Sequence, residues 1–181
     1  MSKAVTKLRV KYQPGHEPDV LIPTSYKNYR FLLGRCGKNP LVCIGMNPSA
    51  ARDEYSDRTV NKVIKLAYQN GYDGWIMLNI YPQRATNAAI HLSTNVNNRL
   101  NFNNLEIIKK YITENKIKEI WGAWGDIDAK RPWLTTVKTQ IVQMVQSLGC
   151  RIFYFGALTK KYHNPPHPLY LVVDFTKKKY L

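Results

Sequence analysis

The sequence predicts an α/β protein, a three-layer α/β/α sandwich with a central, mostly parallel sheet of four strands. Two observations predict this fold. Short apolar runs recur along the chain, and each is followed by a longer stretch with apolar residues at helical spacing. Such alternation favours parallel strand pairing with right-handed crossovers and helices on both faces of the sheet. The length of 181 residues suits one domain, and a hydrophobic content of 44% supports a packed core.

The chain starts with a basic lead-in over residues 1–24, and the single domain is expected over residues 25–181. The lead-in combines basic side chains with prolines and a glycine, so we expect an irregular segment or an edge strand there. Residues 25–35 alternate aromatic and basic side chains. That alternation favours either a strand or a short helix packed on the domain.

Apolar runs predict the strands of the sheet. The first run, Leu41-Val42-Cys43-Ile44-Gly45, is apolar throughout, as expected for a strand buried on both faces. The further strands are expected over residues 75–78, 117–123 and 151–156, with a last edge strand over residues 170–173.

Helical spacing of apolar residues predicts three helices, over residues 58–70, 101–115 and 133–148. Either Asp57 or Thr59 is expected to cap the first helix, because short polar side chains accept hydrogen bonds from the first free amides. Gly149 is expected to end the third helix, since glycine readily adopts the left-handed conformation found there.

The composition limits the classes of partner. The chain has 27 basic and 12 acidic residues, a formal charge of +15, which favours polyanions: nucleic acid first and an anionic membrane surface second. No apolar run is long enough to span a bilayer, and no signal peptide follows the first residues, so we expect a cytoplasmic protein, associated with the nucleoid or present in a phage-infected cell. The three cysteines are scattered, which argues against disulfides and against zinc or iron–sulfur ligation.

Four short motifs lie at the ends of predicted strands. They are Gly45-Met46-Asn47-Pro48-Ser49, the segment 78–86 with Asn79 and Arg84-Ala85-Thr86, Trp121-Gly122-Ala123-Trp124-Gly125, and His167-Pro168-Leu169-Tyr170. The carboxyl ends of parallel strands converge on one crevice, so these motifs are expected to form one site. Two amides, a histidine, an arginine and aromatic side chains suit recognition of a nucleobase better than metal or phosphoryl chemistry.

Each polar residue of these motifs has two possible roles. Asn47 is held at the sheet edge by the proline after it, where it either orients a water or a ligand or forms a turn. Asn79 either pairs with the edge of a base through its amide or ties down its own loop. Arg84 either binds a phosphate or braces the same loop.

His167 lies between two prolines, a stiff context that would present its imidazole at a fixed angle. A neutral histidine can donate a hydrogen bond to developing negative charge, and this role is favoured over a structural one. His163 and His167 are four residues apart, but the prolines exclude a helix and no third ligand is evident, so no metal is expected. No cofactor motif is found either.

In this order, the four motifs resemble those of an uncharacterised bacterial and phage family of unknown function, over about residues 29–173. At greater distance they resemble the uracil-DNA glycosylase superfamily. That resemblance implies a uracil-DNA-glycosylase-like fold in which Asn47 positions the attacking water, Asn79 reads the base and His167 stabilises the departing base. It further implies that Leu169 or Tyr170 wedges into the base stack.

The remaining residues of the motifs complete the site that this resemblance implies. Base-binding candidates beside Asn79 are Met46, Tyr55 and Tyr81. Candidates for contacts with the nucleic-acid backbone or for loop support are Ser49, Arg84, Thr86, Pro168, Leu169 and Tyr170. The chain departs from the superfamily in having no carboxylate at Asn47 and leucine, not serine, at Leu169.

The sequence therefore predicts a DNA glycosylase-like enzyme that hydrolyses the N-glycosidic bond of a flipped base, modified bases included. Its expected partner is double-stranded DNA. The alternative is a module on the same fold that binds nucleic acid or a nucleotide without chemistry, as a phage or defence accessory would. Hydrolysis or transfer on free nucleotides is a third option, but it needs little of the positive charge.

Overall fold

The computed structural model describes residues 10–87, 92–126, 131–171 and 175–181. Seven strands and three α-helices alternate along this part of the chain. In order they are β1 (Val20–Ile22), β2 (Leu32–Arg35), β3 (Pro40–Gly45), α1 (Arg58–Gln69), β4 (Gly74–Asn79), α2 (Asn98–Glu114), β5 (Glu119–Gly122), α3 (Trp133–Ser147), β6 (Arg151–Tyr154) and β7 (Lys178–Lys179), with a short 3-10 helix over Pro168–Tyr170 before β7.

The sheet is mixed and has seven described strands, in the order β1-β2-β4-β3-β5-β6-β7. The α/β class is confirmed, but the sheet of four strands predicted from the sequence is wrong. The strands β4, β3, β5 and β6 pair in parallel, while β1, β2 and β7 add antiparallel pairs at the two sides. These added strands are two to four residues long, too short for a periodic signal, and they cover the unpaired edges of the parallel strands.

Side chains of β3 alternate between two hydrophobic cores. Val42 and Ile44 pack with α2 and α3 on one face, and Leu41 and Cys43 pack with α1 on the other. Because successive side chains of a strand point to opposite faces, an apolar run such as 41–45 places a core on both faces of the sheet.

The helices predicted from periodicity are present, with small shifts at their ends. Asp57, one of the two proposed caps, accepts a hydrogen bond from the Val60 amide at the start of α1. Gly149 follows α3 with φ +75°, the left-handed conformation that glycine adopts without strain. No helix in the described part of the chain is long and apolar enough to cross a membrane.

One segment differs from the sequence prediction. The edge strand expected over 170–173 is wrong at Tyr170, which lies in the 3-10 helix, and Val172 and Val173 lie outside the described residues. Two prolines precede this turn and a third begins it, so the backbone at these three positions cannot donate the hydrogen bonds of a strand. The lead-in contributes β1 at the edge of the sheet, which matches the edge strand that was one of the two alternatives for it, and its residues 1–9 lie outside the described part.

The neighbouring strands β3 and β5 are parallel, but the chain continues from them toward opposite sides of the sheet. From β3 it passes through α1 to β4 on one side, whereas from β5 it passes through α3 to β6 on the other side and on the other face. A crevice forms outside the carboxyl ends of two such neighbouring strands, and open α/β sheets bind ligands there.

Candidate functional site

A cleft of about 1070 Å³ opens at the carboxyl ends of β3, β5 and β6, beside the start of α1. It lies beside β3 and β5, the neighbouring strands from which the chain continues toward opposite sides of the sheet. The residues predicted from the sequence that line it are Met46, Asn47, Ser49, Thr86, His167, Leu169 and Tyr170. The predicted residues that do not line it are Asn79, Tyr55, Tyr81, Arg84 and Pro168.

Asn47 joins the first two motif loops. Its Nδ2 donates to the carbonyl oxygens of Pro48 at 3.0 Å and Ala85 at 2.8 Å. Its Oδ1 accepts no hydrogen bond from any residue that the structure describes. The side-chain nitrogen of Asn47 therefore holds the two loops together. Its side-chain oxygen can accept a hydrogen bond from a ligand or water.

Asn79 ends β4 and is fully buried, with 0% exposure. Neither its Nδ2 nor its Oδ1 has a hydrogen-bond partner within the described chain. Its Oδ1 would lie 3.5 Å from a Cβ built on Gly45, which lines the cleft. A polar amide without partners is costly in a protein interior, so Asn79 keeps unused hydrogen-bonding capacity beneath the cleft wall.

His167 lies at the cleft with one tautomer favoured. The Leu169 amide donates to His167 Nδ1 at 3.3 Å, which assigns the ring proton of the neutral imidazole to Nε2. Burial lowers the pKa of His167 below its ordinary value, although the nearby Asp57 carboxylate opposes that shift. The imidazole is therefore neutral near pH 7 and acts as a hydrogen-bond donor through Nε2.

The loop after β5 packs directly on the His167 segment. Gly125 has φ +68°, and a Cβ added to it would lie 3.0 Å from the Cβ of His167. The Gly125 amide also donates to the Pro165 carbonyl at 2.9 Å. The glycine of the third motif therefore allows the loop after β5 to approach the His167 segment closely.

Asp126 lines the cleft and was missed by the sequence analysis. Its Oδ1 accepts hydrogen bonds from the Thr159 hydroxyl and from Asn164 Nδ2. Asn164 is 2% exposed and accepts from Trp124 Nε1 and Lys138 Nζ. This network joins residues up to 40 positions apart, so it cannot be predicted from local sequence. The only signal for Asp126 in the sequence is that a carboxylate directly follows the third motif.

The second carboxylate at the cleft belongs to Asp57. Its Oδ1 accepts from the Val60 amide at 2.9 Å and its Oδ2 from the Ala51 amide at 3.2 Å. Both oxygens thus bind backbone amides, and the side chain is 6% exposed. Asp57 is a helix cap that fixes the loop before α1.

Arg84 braces its loop, the second of the two roles left open by the sequence. It donates to the carbonyl oxygens of Ser49 at 2.7 Å and Ala51 at 3.0 Å. Arg30, which the sequence analysis did not select, is 1% exposed, lines the cleft and donates to the same Ala51 carbonyl at 2.8 Å. Burial lowers the pKa of Arg30 to about 10, with the Arg84 charge acting in the same direction.

The two tyrosines among the base-binding candidates do not line the cleft. Tyr81 is fully buried, its hydroxyl accepts from the Asn97 amide at 3.0 Å, and its ring meets Trp133 edge-on at 4.6 Å between centroids. It belongs to the core. Tyr55 is partly exposed in the loop before α1 and does not line the cleft.

The rim of the cleft carries apolar side chains. Tyr170 is 79% exposed and Leu169 is 42% exposed, and both line the mouth beside His167. Pro168, between His167 and Leu169, is buried and packs inward. In the part of the chain that the structure describes, no group of three or more metal-ligating side chains is found.

The fold and the cleft together define an α/β protein with a candidate ligand site at the carboxyl ends of its parallel strands. Residues 30–169 match the family described as "Protein of unknown function (DUF1643)", and the chain belongs to this family. Comparison with curated proteins and with solved structures gave no match. The expectation of an uncharacterised family is therefore confirmed. The four motifs as its markers and the distant resemblance to uracil-DNA glycosylases stay predictions.

Proposed function

We propose that this protein is a DNA glycosylase-like enzyme with a uracil-DNA-glycosylase-like fold, which hydrolyses the N-glycosidic bond of a nucleotide flipped out of duplex DNA. The observation that carries the proposal is the state of His167: a neutral imidazole at the cleft, with Nδ1 occupied by the Leu169 amide. Its Nε2–H is a donor fixed before reaction. Negative charge develops on the base as the glycosidic bond breaks, and a prearranged donor stabilises such charge by roughly 3 kcal/mol.

The buried amide of Asn79 supports recognition of a base. A base edge offers adjacent donors and acceptors, and an asparagine side chain can pair with it through both of its polar groups. Both groups of Asn79 are unpaired in the described structure. A flipped base that reached this amide would remove the cost of burying it unsatisfied.

The charge of the chain and the rim of the cleft support a duplex as the partner. A formal charge of +15 favours binding through DNA phosphates. The exposed Leu169 and Tyr170 lie beside His167, where an apolar side chain can fill the space left in the stack by a flipped nucleotide.

Base release from labelled duplexes tests the proposal. The substrates carry uracil, mismatched bases or hypermodified bases, and the products are analysed by alkali cleavage and by mass spectrometry of the released base. We expect release from at least one duplex by the wild-type protein and its loss in His167→Ala. Release by His167→Ala at the wild-type rate contradicts the role of the histidine.

A second candidate is a module that binds nucleic acid or a nucleotide without catalysis. One observation favours it: the Asn47 Nδ2 is bound to two carbonyl oxygens, so this side chain resembles a loop support as much as a water ligand. Tight, salt-dependent duplex binding without base release from any substrate would establish this alternative.

A further inference from the structure

Asp126 supplies a carboxylate to the cleft from the strand next to that of Asn47. The two strands pair in parallel at Cys43–Trp121 and Ile44–Gly122, and the Ala123 amide continues the pairing to the Ile44 carbonyl at 2.9 Å. Asn47 and Asp126 therefore leave adjacent strands at nearly the same level. Both line the crevice between them.

The two oxygens of Asp126 differ in their surroundings. Oδ1 accepts from Thr159 and from the buried Asn164, and these contacts fix the carboxylate. Oδ2 accepts no hydrogen bond from any residue in the described ranges, and the side chain is exposed at the cleft. One anchored oxygen and one accessible oxygen are what a base needs in order to take a proton from a bound water.

Charged groups reach Asp126 from each neighbouring segment. Lys160 and Lys161 come from the segment after β6, and Lys161 interacts electrostatically with Asp126. Lys138 of α3 reaches it through Asn164. The neutral His167 lines the same cleft and packs against Gly125, the residue before Asp126. The carboxylate is thus surrounded by positive or neutral groups among the described residues, while Asp57 is held by backbone amides.

We propose that Asp126 is the general base of the reaction, a role that rests on the proposed glycosylase function. A water between Asn47 and Asp126 attacks C1′ of the flipped nucleotide, and its proton passes to the Asp126 carboxylate. The bond from C1′ to the base nitrogen breaks, and its electron pair leaves with the base. His167 Nε2–H donates a hydrogen bond to an oxygen of that base. The carboxylate absent at position 47 is thus supplied from the neighbouring strand.

Asp126→Asn tests this role without removing the anchoring contacts, because the amide oxygen still accepts from Thr159 and Asn164. We expect the single-turnover rate of base release to fall on the order of 10²- to 10⁴-fold. Duplex affinity should be unchanged or higher, since a negative charge is lost.

Asp53→Asn is the matched control, because Asp53 pairs with Arg52 at 2.8 Å and does not line the cleft. It should keep the wild-type rate. If wild-type protein releases a base and Asp126→Asn stays within twofold of its rate, the role of Asp126 is overturned and the glycosylase function stands. If wild-type protein releases no base from any duplex, the proposed function falls and the role of Asp126 falls with it.

Discussion

The two ends of the parallel strands carry two very different pockets. At the carboxyl ends lies the cleft of about 1070 Å³ with His167, Asn47 and Asp126. At the amino ends lies a pocket of about 400 Å³. Its charged lining is mostly basic and comprises Lys38, Lys116, Lys118, Glu119 and Arg151.

The polar groups of the amino-end pocket are already satisfied or exposed. The nearby Asp73 accepts from the amides of Lys38 and Asn39, and Glu119 is bound by Tyr72 and Lys177. At the carboxyl end, by contrast, a fully buried amide has no described partner and a histidine has one nitrogen fixed as a donor. Positive charge alone therefore does not distinguish the two pockets. The two pockets differ because the carboxyl end has side chains that are held in place and can still make hydrogen bonds to a ligand.

After that of Asp126→Asn, the largest expected effect is at the carboxyl-end histidine. His167→Ala should lower the single-turnover rate of base release by about 10²- to 10³-fold, because it removes one donor from the developing charge on the base. Duplex affinity, measured by fluorescence anisotropy, should change little. His163→Asn is the matched control: His163 is exposed with φ 51°, which asparagine tolerates, and it should keep full activity.

The next effect separates recognition from stability. Asn79→Leu should weaken transition-state binding by about 1–3 kcal/mol, read as a lower rate of base release. Its free energy of unfolding should be unchanged or higher, because two unpaired buried atoms are replaced by apolar ones.

Asn104→Leu is the contrasting variant for Asn79→Leu. Asn104 donates to the carbonyl oxygens of Asn79 and Ile80, so its loss should lower the free energy of unfolding by about 1–3 kcal/mol in urea titrations. Equal destabilisation by both variants, with no effect of Asn79→Leu on rate, would give Asn79 a structural role only.

A smaller effect concerns acid stability. Burial lowers the pKa of His167 in the folded protein below the ordinary value of 6.5. As the pH falls, the imidazole is therefore protonated in the unfolded chain before it is protonated in the folded protein. The free energy of unfolding that the neutral imidazole contributes above pH 6.5 should therefore be lost as the pH falls through the lowered pKa of the folded protein. Urea midpoints between pH 7.5 and about pH 5 should fall more for wild type than for His167→Gln. Parallel curves for the two proteins would contradict a half-buried neutral imidazole.

The smallest effect compares lysines of the two pockets. Lys160 lines the carboxyl-end cleft, so Lys160→Gln should reduce the slope of log affinity against log salt by about one for duplex DNA. Lys116→Gln, at the amino end, should leave the slope unchanged. The reverse result would place the duplex at the amino ends of the strands and contradict the proposed site.

The sequence predicted the parts of the molecule that depend on local pattern. The apolar run 41–45 and the spacing of Val60, Val63 and Ile64 predicted β3 and α1, because periodicity reports directly on burial. A strand was one of the two alternatives for residues 1–24 and for residues 25–35, and β1 and β2 lie there. The strand β7 was not predicted, since a run of two residues carries no period.

For the candidate site, strand ends predicted where the cleft lies but not every side chain in it. Tyr81 and Arg84 were expected at the site, yet one is buried in the core and the other braces a loop; residue type alone cannot separate these uses from ligand binding. Asp126 and Asn164 were missed because their network forms only when distant segments meet in the folded chain.

The most direct test of which end holds the nucleotide is photo-crosslinking with a duplex that carries one 5-iodouracil at a mismatched position. Cross-linked peptides are mapped by mass spectrometry, with the same base in a fully paired duplex as the control. The account predicts cross-links within residues 45–49, 124–126 or 166–171, stronger for the mismatched duplex. Cross-links confined to residues 37–42 or 115–119, at the amino ends of the strands, would contradict it.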